Sequence, residues 1–315
     1  MKILIADSIA ASAVTELQKE FEVTEQHYSP LELLNEISKY NAIIVRSATK
    51  LPREVIEKGT HLKVIGRAGI GVDNIDVQAA TESRIYVVNS PRASTISVAE
   101  MTFAFILALS RKIIQASNRT KKGEWPKSQL MGIELFGKTL GFVGCGRIGA
   151  EVVKRAKVFG LKCLVYDPYL PAEVFHKIGA EKIEDLNRVL LESDFVTIHA
   201  LLTDETRGMI NKKELEQMKP SAYMINCARG GIIDENALYD ALKEKKIAGA
   251  ALDVFTVEPV KYSKLFDLEN VYVSPHISAS TTEAQERAGQ ITAEQVRLVL
   301  KGQKPEFSVN AHLLE

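Results

Sequence analysis

Along this chain, short apolar runs rich in Val and Ile alternate with stretches whose apolar residues recur every three or four positions. The first pattern is that of buried strands, the second that of amphipathic helices. In the first third, "KILIA", "FEVTE", "AIIVRS", "KVIGRAG" and "IYVVN" predict strands, and residues 8–19, 30–37, 52–58 and 75–82 predict helices between them. After the polar loop "SPRAST", a helix is predicted over 97–121 that is apolar on nearly every side around Phe105. A helix without a polar face is buried all round. It reads as a crossover between domains that also forms a subunit contact, or as a helix inside one domain. A second series starts at Lys138, with strands "TLGFV", "KCLVYD", "FVTIHA", "YMINCA", "GAALDV" and "VYVSP". The last predicted helix, about 281–301, carries Ala284, Ala288, Ile291, Val296 and Val299 on one stripe. Ser280 and Glu283 form its predicted capping box, and Gly302 follows its end. Strands alternating with helices predict α/β architecture with parallel sheets.

A length of 315 residues suits two domains. Lys and Arg together number 40, as do Asp and Glu, so no global field favours nucleic acid or an anionic membrane. Any anionic ligand must be held by local arginines. Cys145, Cys163 and Cys227 are odd in number and lack metal-ligand spacing, which fits a reducing cytoplasm and no metal site. The N-terminal apolar run is too short for a signal-peptide core, and "MTFAFILAL" is far short of a membrane span. A soluble cytoplasmic protein is expected.

Gly144-Cys145-Gly146-Arg147-Ile148-Gly149 is a G-x-G-x-x-G pattern, weak alone. Here it follows the strand "TLGFV" and opens a helix whose Ile148, Val152, Ala156 and Phe159 share one face. Asp167 ends the next strand, about 20 residues beyond the last glycine. Glycines let backbone N–H groups approach a pyrophosphate at a helix N-terminus, and the acid accepts from ribose hydroxyls. As an alternative, Asp167 is a turn residue before Pro168. An acid there repels a 2′-phosphate, so NAD is preferred over NADP. Further on, Arg229, Glu258 and His276 each end or follow a strand of the same half, the side on which such sheets bind ligands. Singly, each has a bland reading: Arg229 paired with Asp234 or Glu235, Glu258 in a surface turn, His276 as a satisfied structural histidine.

The order Arg229–Glu258–His276 downstream of the glycine loop resembles that of the D-isomer-specific 2-hydroxyacid dehydrogenases, most closely their D-3-phosphoglycerate dehydrogenase branch. The likeness runs through "IIVRSATKL" (43–51), "VIGRAGIGVDNID" (64–76), "VNSPRASTISVAE" (88–100), "GKTLGFVGCGRIG", "NCARGGIIDE", "GAALDVFTVEP" and "SPHISAST", nearly the whole chain. It implies two Rossmann-like or flavodoxin-like doubly wound parallel-sheet domains with a cofactor cleft between them. The expected domains are 1–97 plus 285–315, discontinuous and holding substrate, and 98–284, holding NAD. A homodimer built around 97–121 is expected.

The resemblance also implies roles. His276 is the acid/base on the substrate oxygen, Glu258 hydrogen-bonds its other ring nitrogen and favours the imidazolium, and Arg229 orients and polarises the substrate. Cofactor contacts are expected at Gly144, Gly146, Arg147, Ile148, Gly149, Asp167, His199, Ala200, Leu201, Thr206, Cys227, Ala228, Arg229, Asp253, His276, Ser278 and Ala279. Of these, Asp253 is placed near the nicotinamide amide. Leu201 stands where the family commonly has proline, and Ser278 where the close branch often has glycine, leaving contact there to the backbone. Arg46, Ser47, Arg67, Ala68, Gly69 and Arg111 match substrate positions, the arginines gripping a phosphate. The implied reaction is NAD-dependent oxidation of D-3-phosphoglycerate to 3-phosphohydroxypyruvate, the first step of serine biosynthesis. A glyoxylate/hydroxypyruvate reductase or another D-2-hydroxyacid dehydrogenase is the alternative, and an NAD-sensing corepressor-like scaffold the remote one. With Glu315 directly after the returning helix, no serine-sensing C-terminal domain is expected.

Overall fold

The structure is a computed structural model that describes residues 1–314 and divides into two units, Met1–Thr95 with Ala279–Glu315, and Ile96–Ser278. In the first unit, β1 (Lys2–Ile5), β2 (Glu22–Glu25), β3 (Ala42–Val45), β4 (Val64–Arg67) and β5 (Tyr86–Asn89) form one sheet. All neighbours are parallel, in the order β2-β1-β3-β4-β5. That is the flavodoxin-like winding. The helix Thr282–Leu300 packs on this sheet and on the helix Ala11–Gln18. Close contact is possible because β4 carries a glycine. A Cβ at Gly66 would lie 2.7 Å from the Val296 side chain and 2.8 Å from that of Thr292. The expected capping box of Ser280 and Glu283 does not form: Thr281 is the N-cap and accepts from the Ala284 amide at 3.2 Å, and Ala284 has no polar side chain to return the bond.

The second unit holds β6 (Thr139–Val143), β7 (Lys162–Tyr166), β8 (Glu181–Lys182), β9 (Phe195–Ile198), β10 (Tyr223–Asn226), β11 (Gly249–Leu252) and β12 (Val271–Val273). They pair in parallel in the order β12-β11-β10-β9-β6-β7-β8. Strands β9, β10 and β11 are almost entirely buried, as expected for a sheet covered on both faces. The order reverses between β6 and β9, which opens a crevice at their carboxyl ends. The edge strand β8 was not expected from sequence. Its two residues, Glu181 and Lys182, carry no apolar signal.

The single helix expected over 97–121 is two: Thr95–Arg111 and Ile113–Lys121, parted by Lys112 in the left-handed region at φ 50°. The apolar pattern fails at this basic pair. The first helix buries Val98, Phe103, Ile106 and Leu109, whereas no residue of the second is buried. Among the described residues, no helix is long and apolar enough to cross a membrane.

Candidate active site

Three loops leave the carboxyl ends of β10, β11 and β12 and carry Arg229, Glu258 and His276. The structure brings the last two into contact: His276 Nδ1 lies 2.7 Å from Glu258 Oε2, with side chains 47% and 34% exposed. The other carboxylate oxygen of Glu258 accepts from the Phe255 amide at 2.9 Å, so the carboxylate is anchored while it faces the imidazole. His276 takes a left-handed φ of 54°, rare for a residue with a Cβ, and its amide donates to the Asp253 carbonyl at 2.8 Å. Arg229 is half-buried, and its Nη1 donates to the Ala228 carbonyl at 2.7 Å. The acids weighed as its partners have other tasks. Asp234 caps the following helix through the Asn236 and Ala237 amides, and Glu235 accepts from Thr256 N at 2.6 Å.

Gly230 draws the Arg229 and Glu258 loops together. A Cβ there would lie 1.9 Å from both the carbonyl carbon and the oxygen of Phe255, so only glycine permits this backbone approach. Asn226, 2% exposed at the end of β10, binds both ends of the same turn. Its Oδ1 accepts from Ala228 N and its Nδ2 donates to the Arg229 carbonyl, each at 2.9 Å.

Across the same sheet, the glycine loop joins β6 to the helix Arg147–Val158. Gly144 has φ +76°, and a Cβ on it would meet the Ala200 backbone at 2.9 Å. Gly146, the N-cap of that helix, has nothing within 4 Å of a built Cβ. Asp167 is 8% exposed. It accepts from Cys145 N at 3.0 Å, Tyr169 N at 3.0 Å and Leu170 N at 3.2 Å. It is therefore a turn residue and also a clamp on the glycine loop. Thr206 Oγ1 donates to the Leu201 carbonyl at 2.5 Å and accepts from Thr203 N at 2.8 Å, closing the loop that presents the exposed Leu201. His199 Nε2 is 3.0 Å from Thr197 Oγ1, and desolvation pushes its imidazole down to about 3, so the ring stays neutral. Burial drives the Cys227 thiol up to about 12, which makes it a poor nucleophile.

Residues 103–278 match the model of the NAD binding domain of the D-isomer specific 2-hydroxyacid dehydrogenases. This match covers the glycine loop and all three strand-end residues. The chain belongs to that family. A D-3-phosphoglycerate dehydrogenase from Methanocaldococcus jannaschii is 51% identical over 98% of this chain and 59% of its own length. A hydroxypyruvate reductase from Thermotoga maritima is 46% identical over 89% of this chain and 91% of its own. The chain thus spans about three-fifths of the length of the first phosphoglycerate dehydrogenases it matches. Among solved structures, a glyoxylate reductase from Paecilomyes thermophila superposes with a TM-score of 0.90 at 28% identity, covering 99% of each chain.

The residues of this domain fit a dinucleotide on their own geometry. The first-turn amides of the helix Arg147–Val158 lie beyond the reach of any intrahelical carbonyl, and the space above Gly146 is open. A carboxylate has about four acceptor positions. Three at Asp167 are taken by amides, which leaves room for a ribose hydroxyl.

Asp253 and Ser278, both expected near the cofactor, bond to each other within the chain. Asp253, expected beside the nicotinamide amide, is 0% exposed, and its carboxylate accepts from Ser274 Oγ, Ile277 N, Ser278 N and Ser278 Oγ. These four donors tie Asp253 to the turn that bears His276. The Ser278 amide donates to Asp253 at 2.7 Å. The carbonyl of Ala279 accepts from Gln285 Nε2 at 2.9 Å.

In the first unit, Val45 pairs with Arg67, so Arg46 and Arg67 emerge side by side at the carboxyl ends of β3 and β4. Asp7 accepts from Arg46 N at 2.6 Å and Thr49 N at 3.1 Å, and Asn74 Nδ2 donates to the carbonyls of Arg46 and Thr49. Ser47 is exposed in this loop, and Ala68 is buried against Ala93 and Ala288. Gly69 leaves room for the Arg67 guanidinium, because a Cβ there would lie 1.4 Å from Nη1. Arg111, exposed, ends the helix Thr95–Arg111 and lies in the second unit.

Sequence reading passed over Asn226, Gly230 and the clamping role of Asp253. Asn226 had a local signal, an Asx turn onto the residue two positions on. The other two depend on partners at least 21 positions away.

Proposed function

We propose that the chain oxidises D-3-phosphoglycerate to 3-phosphohydroxypyruvate with NAD, and that His276 takes the hydroxyl proton. The observation that carries this reading is the 2.7 Å contact between His276 and Glu258 in the unit that bears the glycine loop. An ionised carboxylate only accepts, so Nδ1 carries the ring hydrogen and Nε2 presents its lone pair, the form a general base needs. As the imidazole gains the proton, Glu258 stabilises the imidazolium. Arg229 orients the substrate carboxylate with its planar fork and polarises the oxygen that becomes the carbonyl. Bound NAD would accept the hydride. Gly144, Gly146, Arg147, Ile148, Gly149 and Asp167 would hold it, with Cys227, Ala228 and the 199–201 turn alongside.

Arg46 and Arg67, neighbours on adjacent strand ends, are suited to a doubly charged phosphate, which favours the phosphorylated substrate. Residues 1–97 with 285–315 would act as the substrate domain and 98–284 as the cofactor domain. The chain would work in the cytoplasm as a homodimer. Support for the dimer comes from Ile113 and Ile114, 51% and 40% exposed on a helix that buries nothing, and from Trp125 and Met131, each 78% exposed.

One observation favours a hydroxypyruvate or glyoxylate reductase instead: the hydroxypyruvate reductase relative is covered over 91% of its own length. A substrate panel separates the two. With NAD, kcat/KM for D-3-phosphoglycerate is expected to exceed that for D-glycerate by at least ~100-fold, about 2.7 kcal/mol. Faster reduction of hydroxypyruvate or glyoxylate with NADH than of 3-phosphohydroxypyruvate gives the second reading. No turnover of any of them leaves dinucleotide binding alone.

A further inference from the structure

We infer that Ser274 and Ser278 are positioning residues for His276, acting through the buried carboxylate of Asp253. The inference rests on the acid/base reading of His276 and goes beyond it. The segment Ser274-Pro275-His276-Ile277-Ser278 wraps around one side chain. Asp253 Oδ1 accepts from Ser274 Oγ and, at 2.8 Å, from Ile277 N. Its Oδ2 accepts from Ser278 Oγ and, at 2.7 Å, from Ser278 N. The Asp253 carbonyl takes the His276 amide at 2.8 Å. Every one of these bonds falls on the five residues centred on the imidazole.

The arrangement has a physical reason on each side. A carboxylate at 0% exposure is costly unless several donors surround it, and four do. A residue with a Cβ held at φ 54° persists only where its surroundings over-determine the backbone. The clamp meets both demands together and fixes the direction from which the ring reaches Glu258. The two hydroxyls are the only side-chain donors in it. Removing them leaves Asp253 with two amides and frees the turn to relax toward commoner φ values, which swings the ring. Misplacement of a reacting group by about 1 Å costs on the order of 100-fold in rate.

The test is the pair Ser274→Ala and Ser278→Ala, alone and together, with Ser274→Thr as the rescue that keeps a hydroxyl. The double variant is expected to lower kcat ~100-fold while the NAD dissociation constant moves less than ~3-fold, and Ser274→Thr in place of Ser274→Ala is expected to recover most of the loss. A second readout needs no turnover: diethyl pyrocarbonate labelling of His276, followed by peptide mass spectrometry, is expected to speed up once the ring leaves Glu258. Unchanged kcat and unchanged labelling in a folded variant overturn the inference. So does a loss of NAD affinity as large as the loss of kcat, which would mean that the clamp serves the cofactor. Should the double variant fail to fold, Ser274→Ala, at a half-buried position, gives the same two readouts. If the wild type oxidises no 2-hydroxy acid, the proposed function falls, and the labelling rates still decide this inference.

Discussion

At the carboxyl end of the seven-stranded sheet, the imidazole is itself gripped by a side chain, while other side chains hold the main chain around it. Glu258 grips the His276 ring, Asp253 grips the turn that bears it, and Asn226 ties the residues around Arg229. At the carboxyl end of the five-stranded sheet, Asp7 and Asn74 hold the loop around Arg46 through its amides and carbonyls and through the Thr49 hydroxyl. Proton transfer demands a fixed distance and direction, whereas attraction of an anion by a guanidinium falls off gently with distance. On the proposed function, the two ends differ as those two tasks differ.

The comparison breaks most sharply at the imidazole. His276→Ala is expected to lower kcat by about 1,000-fold with NAD affinity kept, within the range for a lost general acid/base. Wild-type turnover by this variant would remove the fixed-geometry account. Next is Gly230→Ala. The built Cβ sits 1.9 Å from Phe255 backbone atoms, which cannot step aside as a side-chain tip can. A destabilisation of about 3 kcal/mol or more is expected, read as a lower denaturant midpoint. An unshifted midpoint would mean that the loops do not meet as described.

The five-stranded end is tested by Arg46→Ala with Arg67→Ala. The pair is expected to lower kcat/KM for D-3-phosphoglycerate about 100-fold, or ~2.7 kcal/mol, and to leave unphosphorylated 2-hydroxy acids within a few-fold. Equal losses on both substrates would show that these arginines do not read phosphate.

The most gradual effect concerns His199. Its folded-state value, pushed down from 6.5 to about 3, means that below pH 6.5 the unfolded chain takes up a proton that the folded chain refuses. Stability should therefore fall as pH drops from about 6.5 toward 3, by on the order of 1 kcal/mol per pH unit. His199→Gln should flatten that part of the curve, and an unchanged slope would assign it to other groups.

The strands and the glycine loop were legible because each has a local pattern: runs such as "AIIV" and "YMIN", or glycines at fixed offsets before a helix; the order of the strands came through family resemblance. The His276–Glu258 pair was legible only through family resemblance, since nothing in an 18-residue separation says that two side chains touch. The break at Lys112 and the two-residue β8 escaped because short charged segments carry no periodicity. Gly230 and Asp253 escaped for another reason. Their demands come from backbone that lies 21 to 25 residues away in the chain and is near only after folding.

Asp167 carries a consequence for anyone who would redesign the dinucleotide preference. The carboxylate expected to disfavour an extra phosphate also pins Cys145, Tyr169 and Leu170 by their amides. Exchanging it for a small or basic residue would unfasten the phosphate cradle along with the selectivity. A switch of coenzyme is better sought in neighbouring positions, with this acid left where it stands.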